Sequence, residues 1–149
     1  MSKLFLLAVA LALSGCAYRP PQSGFYCLGV PTRQADDVRR IAEATAKQLS
    51  FEFSEDMFAL EPDDVRHTFK LRGKGVSLLV ATSMISSKIV DEFGNAETHF
   101  DPGRYSVQAV KVGWVQNISF EEVLGALAGN AHSSGMTWAA APSETGCSI

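Results

Sequence analysis

The sequence predicts an α+β fold: an antiparallel sheet of about four to five strands, packed by an N-terminal helix over residues 34–49 and a C-terminal helix over residues 119–130. Three observations lead to this prediction. Apolar residues recur at spacings of three and four in two separate segments, as in amphipathic helices. Short apolar or alternating segments between them are bounded by glycine, proline and serine, as strands are. Tight turns join these segments, which favours an antiparallel meander.

The first predicted helix runs from Gln34 to Leu49. Thr32 can cap its N-terminus, and Asp36 and Asp37 lie in the first turn, where the helix dipole favours negative charge. The opposite face carries charged residues at spacings that allow Arg39–Glu43 pairing, so it is expected to face solvent and no binding partner is needed to explain it. The apolar stripe that we expect to face the sheet consists of Val38, Ile41, Ala42, Thr45 and Leu49.

The second predicted helix begins with a capping box, in which the Ser119 hydroxyl and the Glu122 carboxylate each pair with the other residue's backbone amide. Ile118 and Val123 are placed to form a hydrophobic staple. Gly129-Asn130 is expected to end the helix, and Gly135–Ala139 to form a terminal strand. The stripe facing the sheet is predicted to be Phe120, Val123, Leu124, Leu127 and Ala131.

The strands are predicted from shorter patterns. Phe69 and Leu71 alternate with Thr68, Lys70 and Arg72, so the two sets should face opposite sides of a strand. Turns are expected at Gly94-Asn95 and, as a type II turn, at Asp101-Pro102-Gly103-Arg104. Gly73 and Gly75 fit a β-turn better than a phosphate loop, because no helix begins after them. The other predicted strands are 51–53, 75–81, 84–93 and 105–115.

The N-terminus resembles that of a bacterial lipoprotein. Leu13-Ser14-Gly15-Cys16 closes an apolar run behind Lys3 and matches a lipobox, and the run is too short to span a bilayer. The resemblance implies cleavage before Cys16 and acylation of its thiol, with chains such as palmitate. It also implies a periplasmic location, and Ala17 after the cysteine favours the outer membrane over the inner membrane.

This resemblance divides the chain into a signal peptide (1–15), a lipidated tether (16–31) and a periplasmic domain (32–149). The tether is predicted from its prolines, glycines and serines. The 134 residues from Cys16 onward suit one domain. They carry 12 basic and 16 acidic residues, a net charge of −4 that argues against nucleic acid or an anionic membrane as a partner. The bilayer is therefore expected to be contacted through acylated Cys16.

Two cysteines, Cys27 and Cys147, remain once Cys16 is acylated. An even pair of thiols in an oxidising periplasm is usually a disulfide, so we predict a Cys27–Cys147 bond. The alternative, a redox or metal-binding pair, would need close spacing and a third ligand, and the sequence shows neither.

Two blocks of opposite charge follow one another in the middle of the chain. Residues 54–64 hold five acids and no base, whereas residues 66–74 are rich in bases. Local neutralisation is the simpler interpretation, a partner-docking face is the second, and a calcium site is the third although the D-x-D-x-D-G spacing is absent. The residues assigned to partner binding are Glu55, Asp56, Arg66, Lys70, Arg72 and Lys74.

No motif for catalysis, metal binding or a cofactor is visible in the sequence, so the chain is predicted not to be an enzyme and to need no cofactor. His67, His99 and His132 are far apart and are expected to be surface or hydrogen-bonded histidines. Trp114 and Trp138 are expected to belong to the core rather than to a binding site.

The segment 105–141 resembles the small secretin-type N-terminal (STN) domain and its lipoprotein relatives in type IV secretion and pilus machines. The matching features are a strand, then Asn117-Ile118-Ser119-Phe120-Glu121-Glu122-Val123-Leu124, then Ala126-Leu127-Ala128, then Gly135-Met136-Thr137-Trp138. This hydrophobic pattern covers about a quarter of the chain. The resemblance implies an adaptor that offers a sheet edge and a helix face to another envelope subunit.

The sequence therefore predicts a membrane-anchored, noncatalytic lipoprotein that assembles with an envelope protein partner, such as a secretion or pilus channel. Two alternatives remain at this point. One is a periplasmic ligand-binding lipoprotein with an apolar cleft between sheet and helices, and the other is a hydrolase without a recognisable motif. A partner-binding domain would show an exposed edge or apolar patch, and a ligand binder a concave pocket.

Overall fold

Six strands and two helices form the part of the chain described by the computed structural model, which covers residues 22–90, 94, 96–112, 118–141 and 147, with backbone only at 85–90 and 96–97. This content confirms the α+β class. In chain order the elements are β1 (Gln22–Gly29), α1 (Ala35–Leu49), β2 (Glu52–Glu61), β3 (Asp64–Gly73), β4 (Val76–Val90), β5 (Ala96–Lys111), α2 (Phe120–Ser133) and β6 (Thr137–Ala141).

The strands form one open antiparallel sheet in the order β2-β3-β4-β5-β1-β6. The prediction of four to five strands was therefore too low. The strand missing from the prediction is β1, which lies inside the predicted tether. The separately predicted strands 75–81 and 84–93 are one strand, β4. No helix among the described residues is long and apolar enough to cross a membrane.

The tether prediction for residues 16–31 is wrong over Gln22–Gly29, because these residues form β1 between β5 and β6. The proline and glycine content concealed a period-two pattern in which Tyr26 and Leu28 face the helices. Leu28 is only 1% exposed. Cys27 points to the other face, and its Cα lies 5.4 Å from that of Cys147 with the two sulfurs at bonding distance. This geometry is compatible with the predicted disulfide.

The predicted type II turn at Asp101–Arg104 does not reverse the chain, since these residues lie within β5. The ladder with β4 pairs Thr82 with Tyr105 and then Ser83 with Asp101, so Pro102, Gly103 and Arg104 have no partner on β4. The local turn tendency is thus accommodated as a bulge. The buried Asp101 carboxylate stabilises it by accepting from the Gly103 amide (2.9 Å) and pairing with Arg33 (3.1 Å).

Two tight hairpins connect the first strands of the sheet. Lys74 and Gly75, both with positive φ (50° and 75°), form the two-residue turn between β3 and β4, as the β-turn prediction required. Pro62 and Asp63 form the turn between β2 and β3, and β2 itself extends from the predicted 51–53 strand through the acidic stretch to Glu61. In β3, Phe69 and Leu71 are fully buried, while the alternating Thr68, Lys70 and Arg72 face away, as predicted.

Helix α1 begins one residue later than predicted and lacks the expected Thr32 cap. Gln34 occupies the N-cap position without a side-chain bond. The Thr32 hydroxyl instead donates to the Asp37 carboxylate (2.6 Å), and this bond, followed by that from Arg40, lowers the pKa of Asp37.

Helix α2 has the predicted N-cap, since the Ser119 hydroxyl accepts from the Glu122 amide at 3.0 Å. It continues through Gly129-Asn130, however, and ends at Ser133. Asn130 contributes to helix packing by donating to Thr45 (2.9 Å) and Gln48 (3.2 Å) on α1. The chain leaves the helix at Gly135, whose φ of 74° suits a glycine. The backbone amides of Gly135 and Met136 donate hydrogen bonds to the carbonyls of His132 and Ala131.

Both helices pack on one face of the sheet, and the core lies between the two layers. Of the predicted helix stripes all members are buried except Leu124, which is half-buried. Trp138 stacks on Tyr26 with ring centroids 5.0 Å apart, which agrees with the predicted core role, whereas Trp114 lies outside the described residues. The largest fully buried sheet side chains are Tyr105, Phe69, Leu28, Leu71, Leu78, Val80 and Val107.

Candidate interaction surface

The two ends of the sheet differ in what they carry. The chain enters the sheet at Gln22, which pairs with Lys111, and Lys111 pairs in turn with Val76 beside the β3–β4 turn. We call this the proximal end. The distal end is formed by the β2–β3 turn at Pro62-Asp63 and by the β4–β5 ribbon beyond Ser83.

Large apolar side chains are exposed at the distal end. We call Met57, Phe58, Leu60 and Met84 the distal apolar residues, with exposed fractions of 68, 59, 47 and 61%. Alternation along β2 places Met57 on the helix-bearing face and Phe58 on the bare face. The distal part of β2 therefore projects beyond the helical layer with both faces accessible. Val112, 52% exposed, is the corresponding residue at the proximal end.

Asp64 holds the two distal hairpins together. Its carboxylate, only 15% exposed, accepts from the Phe100 amide (2.8 Å) and lies 3.2 Å from the His99 ring. In the sheet order β4 separates β3 from β5, so this contact requires the β4–β5 ribbon to bend over the end of the β2–β3 hairpin. The distal apolar residues are thus carried on two hairpins that are fixed to one another.

A partly buried polar cluster lies where α1 stops covering β2. Glu55 pairs with Arg39 of α1 (3.2 Å) and lies 3.6 Å from the His67 ring of β3. The His67 ring stacks on Phe69, with centroids 6.2 Å apart. These contacts fix the β2–β3 hairpin, at the level of Glu55 and His67, to α1 and to the core.

Tyr105 extends this cluster into the core and is fully buried. Its hydroxyl makes no hydrogen bond of good geometry within the described part of the chain, although it lies near enough to Thr82 to interact with that hydroxyl. The neighbouring Thr82 hydroxyl instead accepts from the His67 amide (2.9 Å) and donates to the His67 carbonyl (3.3 Å). Burial raises the pKa of Tyr105 above its ordinary value of 10.0, Thr82 opposes part of the rise, and the charge of Glu55 adds to it.

Replacing Tyr105 by phenylalanine should not destabilise the protein near neutral pH, and should stabilise it by up to about 1 kcal/mol, because an unpaired hydroxyl leaves the core. Because the pKa of Tyr105 is higher in the folded than in the unfolded protein, the phenol ionises first in the unfolded chain. The contribution of Tyr105 to the free energy of unfolding is therefore complete below pH 10 and is lost as the pH rises above 10. The variant should therefore lose less stability than the wild type above pH 10. Urea unfolding at pH 8 and pH 11 measures both effects. A loss above 1 kcal/mol at pH 8 would show that the hydroxyl is hydrogen-bonded after all.

The residues predicted for partner binding lie on β2, β3 and the turn after β3, and two of the acids among them are neutralised by ion pairs. Lys70 pairs with Asp56 across the hairpin, and Glu55 pairs with Arg39. Arg66 is half-buried, and its Nε has no hydrogen-bond partner within the described chain. Arg72 and Lys74 are exposed at the proximal end. Local neutralisation therefore describes Glu55, Asp56 and Lys70 better than a continuous charged docking face does.

The described residues form two shallow clefts that lie outside the sheet–helix interface. One of about 360 Å³ lies between the helices, near Arg40 and Asn130, and one of about 340 Å³ lies between Arg33 and Arg104 at the bulge. The space between sheet and helices is filled by side chains that are less than 2% exposed, such as Phe69, Leu78 and Leu127. The described residues thus offer no support for a ligand cleft between sheet and helices.

Among the described residues, no group of three or more histidine, cysteine or acidic side chains could hold a metal ion. His67 and His99 each lie beside a carboxylate, and His132 is exposed on α2. The chain matches no protein-family model and no curated sequence.

Sequence reasoning missed the distal apolar residues because the acidic stretch was interpreted through its charges. The signal was present: Met57-Phe58-Ala59-Leu60 is a run of four apolar residues between acids. In a strand such a run must place apolar side chains on both faces. One of these faces is solvent-exposed unless both sides of the strand are covered.

Proposed function

We propose that the protein is a membrane-anchored, noncatalytic adaptor that binds a cell-envelope protein through its distal end. The observation that carries the proposal is the exposure of Met57, Phe58, Leu60 and Met84 on two hairpins fixed together by Asp64. Large apolar side chains that are exposed on projecting hairpins are available for contact with a protein partner.

The proposed anchor and the distal end are arranged consistently. If Cys16 carries the lipid, only residues 17–21 separate it from Gln22 at the proximal end. Five extended residues reach at most about 18 Å, so the proximal end stays close to the bilayer. Since β4 runs from the proximal to the distal end over 15 residues, about 50 Å when extended, the distal apolar residues would point away from the membrane.

The chemistry of the distal end favours a protein over other partners. Glu61 and Asp63 lie close to Leu60 in the sequence, and residues 51–65 contain no lysine or arginine, while Arg66 pairs with Phe58 across the hairpin. This mixed charge is not the basic surface that nucleic acid or anionic lipid headgroups require. The resemblance of residues 105–141 to STN domains supports a secretion or pilus channel of the outer membrane as the complex concerned.

Replacing Phe58 by aspartate should abolish partner binding while leaving the fold intact, because the side chain is 59% exposed. Val112→Asp is the matched control, since Val112 is 52% exposed at the proximal end. We expect crosslinking in intact envelopes to join the wild type and the Val112 variant to the same discrete protein, with at least a tenfold loss for the Phe58 variant. Equal crosslinking by both variants at unchanged melting temperature would contradict the proposal.

A further inference from the structure

We propose that β2 is an acceptor edge for strand addition, which takes up an extended partner segment with alternating apolar and basic side chains. This inference rests on the proposed adaptor function and deepens it, because it names the mode of binding and the chemistry of the partner.

β2 is the first strand of the sheet and pairs only with β3 among the described elements. Its outer edge therefore presents backbone amides and carbonyls that no described strand pairs. Such an edge can hydrogen-bond to an added strand, which provides affinity independent of sequence. The opposite edge, β6, is half as long, with five residues against ten.

The distal half of β2 is open on all sides except towards β3. Every residue from Asp56 to Glu61 is exposed, and the described contact of β2 with a helix side chain is the Glu55–Arg39 pair at its root. Because side chains alternate along a strand, an added strand would place its apolar side chains beside Met57 on the helix-bearing face. Its basic side chains would then lie on the bare face, beside Glu52 and Asp56. The register shift between Ala59 and Glu61 limits the regular edge to residues 52–59.

The charge of β2 decides between possible occupants. The strand carries four acids and no basic residue; Glu55 and Asp56 already pair with Arg39 and Lys70, so its excess negative charge comes from the exposed Glu52 and Glu61. Antiparallel pairing of two copies through β2 would bring like charges together, which is destabilising. An added strand with lysine or arginine at alternating positions would be attracted instead. The edge thus selects a basic heterologous segment and rejects a second copy.

The probe for this proposal is the synthetic peptide acetyl-(Lys-Val)₄-amide, added to the full-length protein in nanodiscs of zwitterionic lipid. At a concentration of 100 times its Kd, it should slow hydrogen exchange of the outward β2 amides by up to about 100-fold. Amides of β6 should be unchanged. The same peptide with alternate backbone N-methyl groups keeps charge and side chains but cannot pair, so it should give no protection.

Charge reversal of the exposed Glu52 and Glu61 provides the second test. The E52K/E61K protein should bind the Lys-Val peptide about tenfold more weakly than the wild type does and should prefer acetyl-(Glu-Val)₄-amide. Equal binding of the N-methylated peptide, or protection at β6 rather than β2, would overturn strand addition. If Phe58-dependent crosslinking in envelopes persists in that case, the adaptor function stands with side-chain docking only. If that crosslinking is also absent, the adaptor proposal fails on its own experiment.

Discussion

Replacing Phe69 by alanine should lower the free energy of unfolding by about 3–5 kcal/mol, because the ring is fully buried at the centre of the sheet–helix interface. The Phe69 ring stacks with Phe53 and Tyr105 at centroid distances of 6.3 Å each, and with His67 at 6.2 Å. Its removal leaves a cavity that these side chains cannot fill without moving the root of the distal hairpin. Urea unfolding followed by circular dichroism measures the effect.

The matched control is Phe58→Ala, which removes the same side chain from the neighbouring strand at a 59% exposed position. We expect it to change the free energy of unfolding by less than about 0.5 kcal/mol, as is usual for surface substitutions. Comparable losses in both variants would mean that Phe58 is covered in the folded protein. That result would remove the observation on which the proposed binding surface depends.

Removing the Cys27–Cys147 pair with the double variant C27S/C147S should cost about 4–5 kcal/mol. The bond would close a loop with a sequence separation of 120, and a loop of this length gives that value in the chain-entropy model. For a domain of this size the melting temperature should fall by roughly 15 °C. Thermal unfolding of the variant, compared with the wild type with and without dithiothreitol, measures it.

Reduced wild type and the C27S/C147S variant should melt together, well below the oxidised wild type. Non-reducing peptide mapping should join the peptides that contain the two cysteines. Two free thiols in protein freshly isolated under oxidising conditions would contradict the bond. An unchanged melting temperature after confirmed reduction would show that the packing of β1 between β5 and β6 already fixes this region.

The helices could be predicted from the sequence because their signals are local. The apolar spacing of Val38, Ile41 and Leu49 and the Ser119 cap each arise within a few residues, so no knowledge of distant contacts was needed. The orientation of Phe69 and Leu71 was predictable for the same reason, since alternation in a strand has a fixed period.

The errors concern features that depend on partners distant in sequence. Gln22–Gly29 is rich in turn-forming residues, yet it forms a strand because β5 and β6 flank it. Asp101–Arg104 has the residues of a turn, but pairing of Arg104 with Gly29 keeps it within β5 as a bulge. Asn130 does not end α2, because its side chain bonds to α1 instead. In each case tertiary contacts outweighed local preference.

The candidate surface was only partly predictable. For residues 54–74 the sequence favoured local neutralisation, with a docking face as an alternative that stays a prediction. Of the charged residues proposed for it, Asp56 pairs with Lys70, and Glu55 pairs with Arg39 of α1. The exposed groups are the apolar residues between them. They are exposed because α1 covers β2 only as far as Glu55, and this depends on tertiary packing rather than on local sequence.

The proposed orientation of the protein at the membrane depends on one predicted modification, the acylation of Cys16. The most direct measurement is intact mass spectrometry of the protein extracted from membranes, with sequencing of its N-terminal peptide. The account predicts a chain that begins at Cys16 and carries a diacylglyceryl group, and a Cys16→Ser variant that accumulates uncleaved. An unmodified chain that begins at Met1 would contradict the account, because the proximal end would then have no anchor to hold it at the membrane.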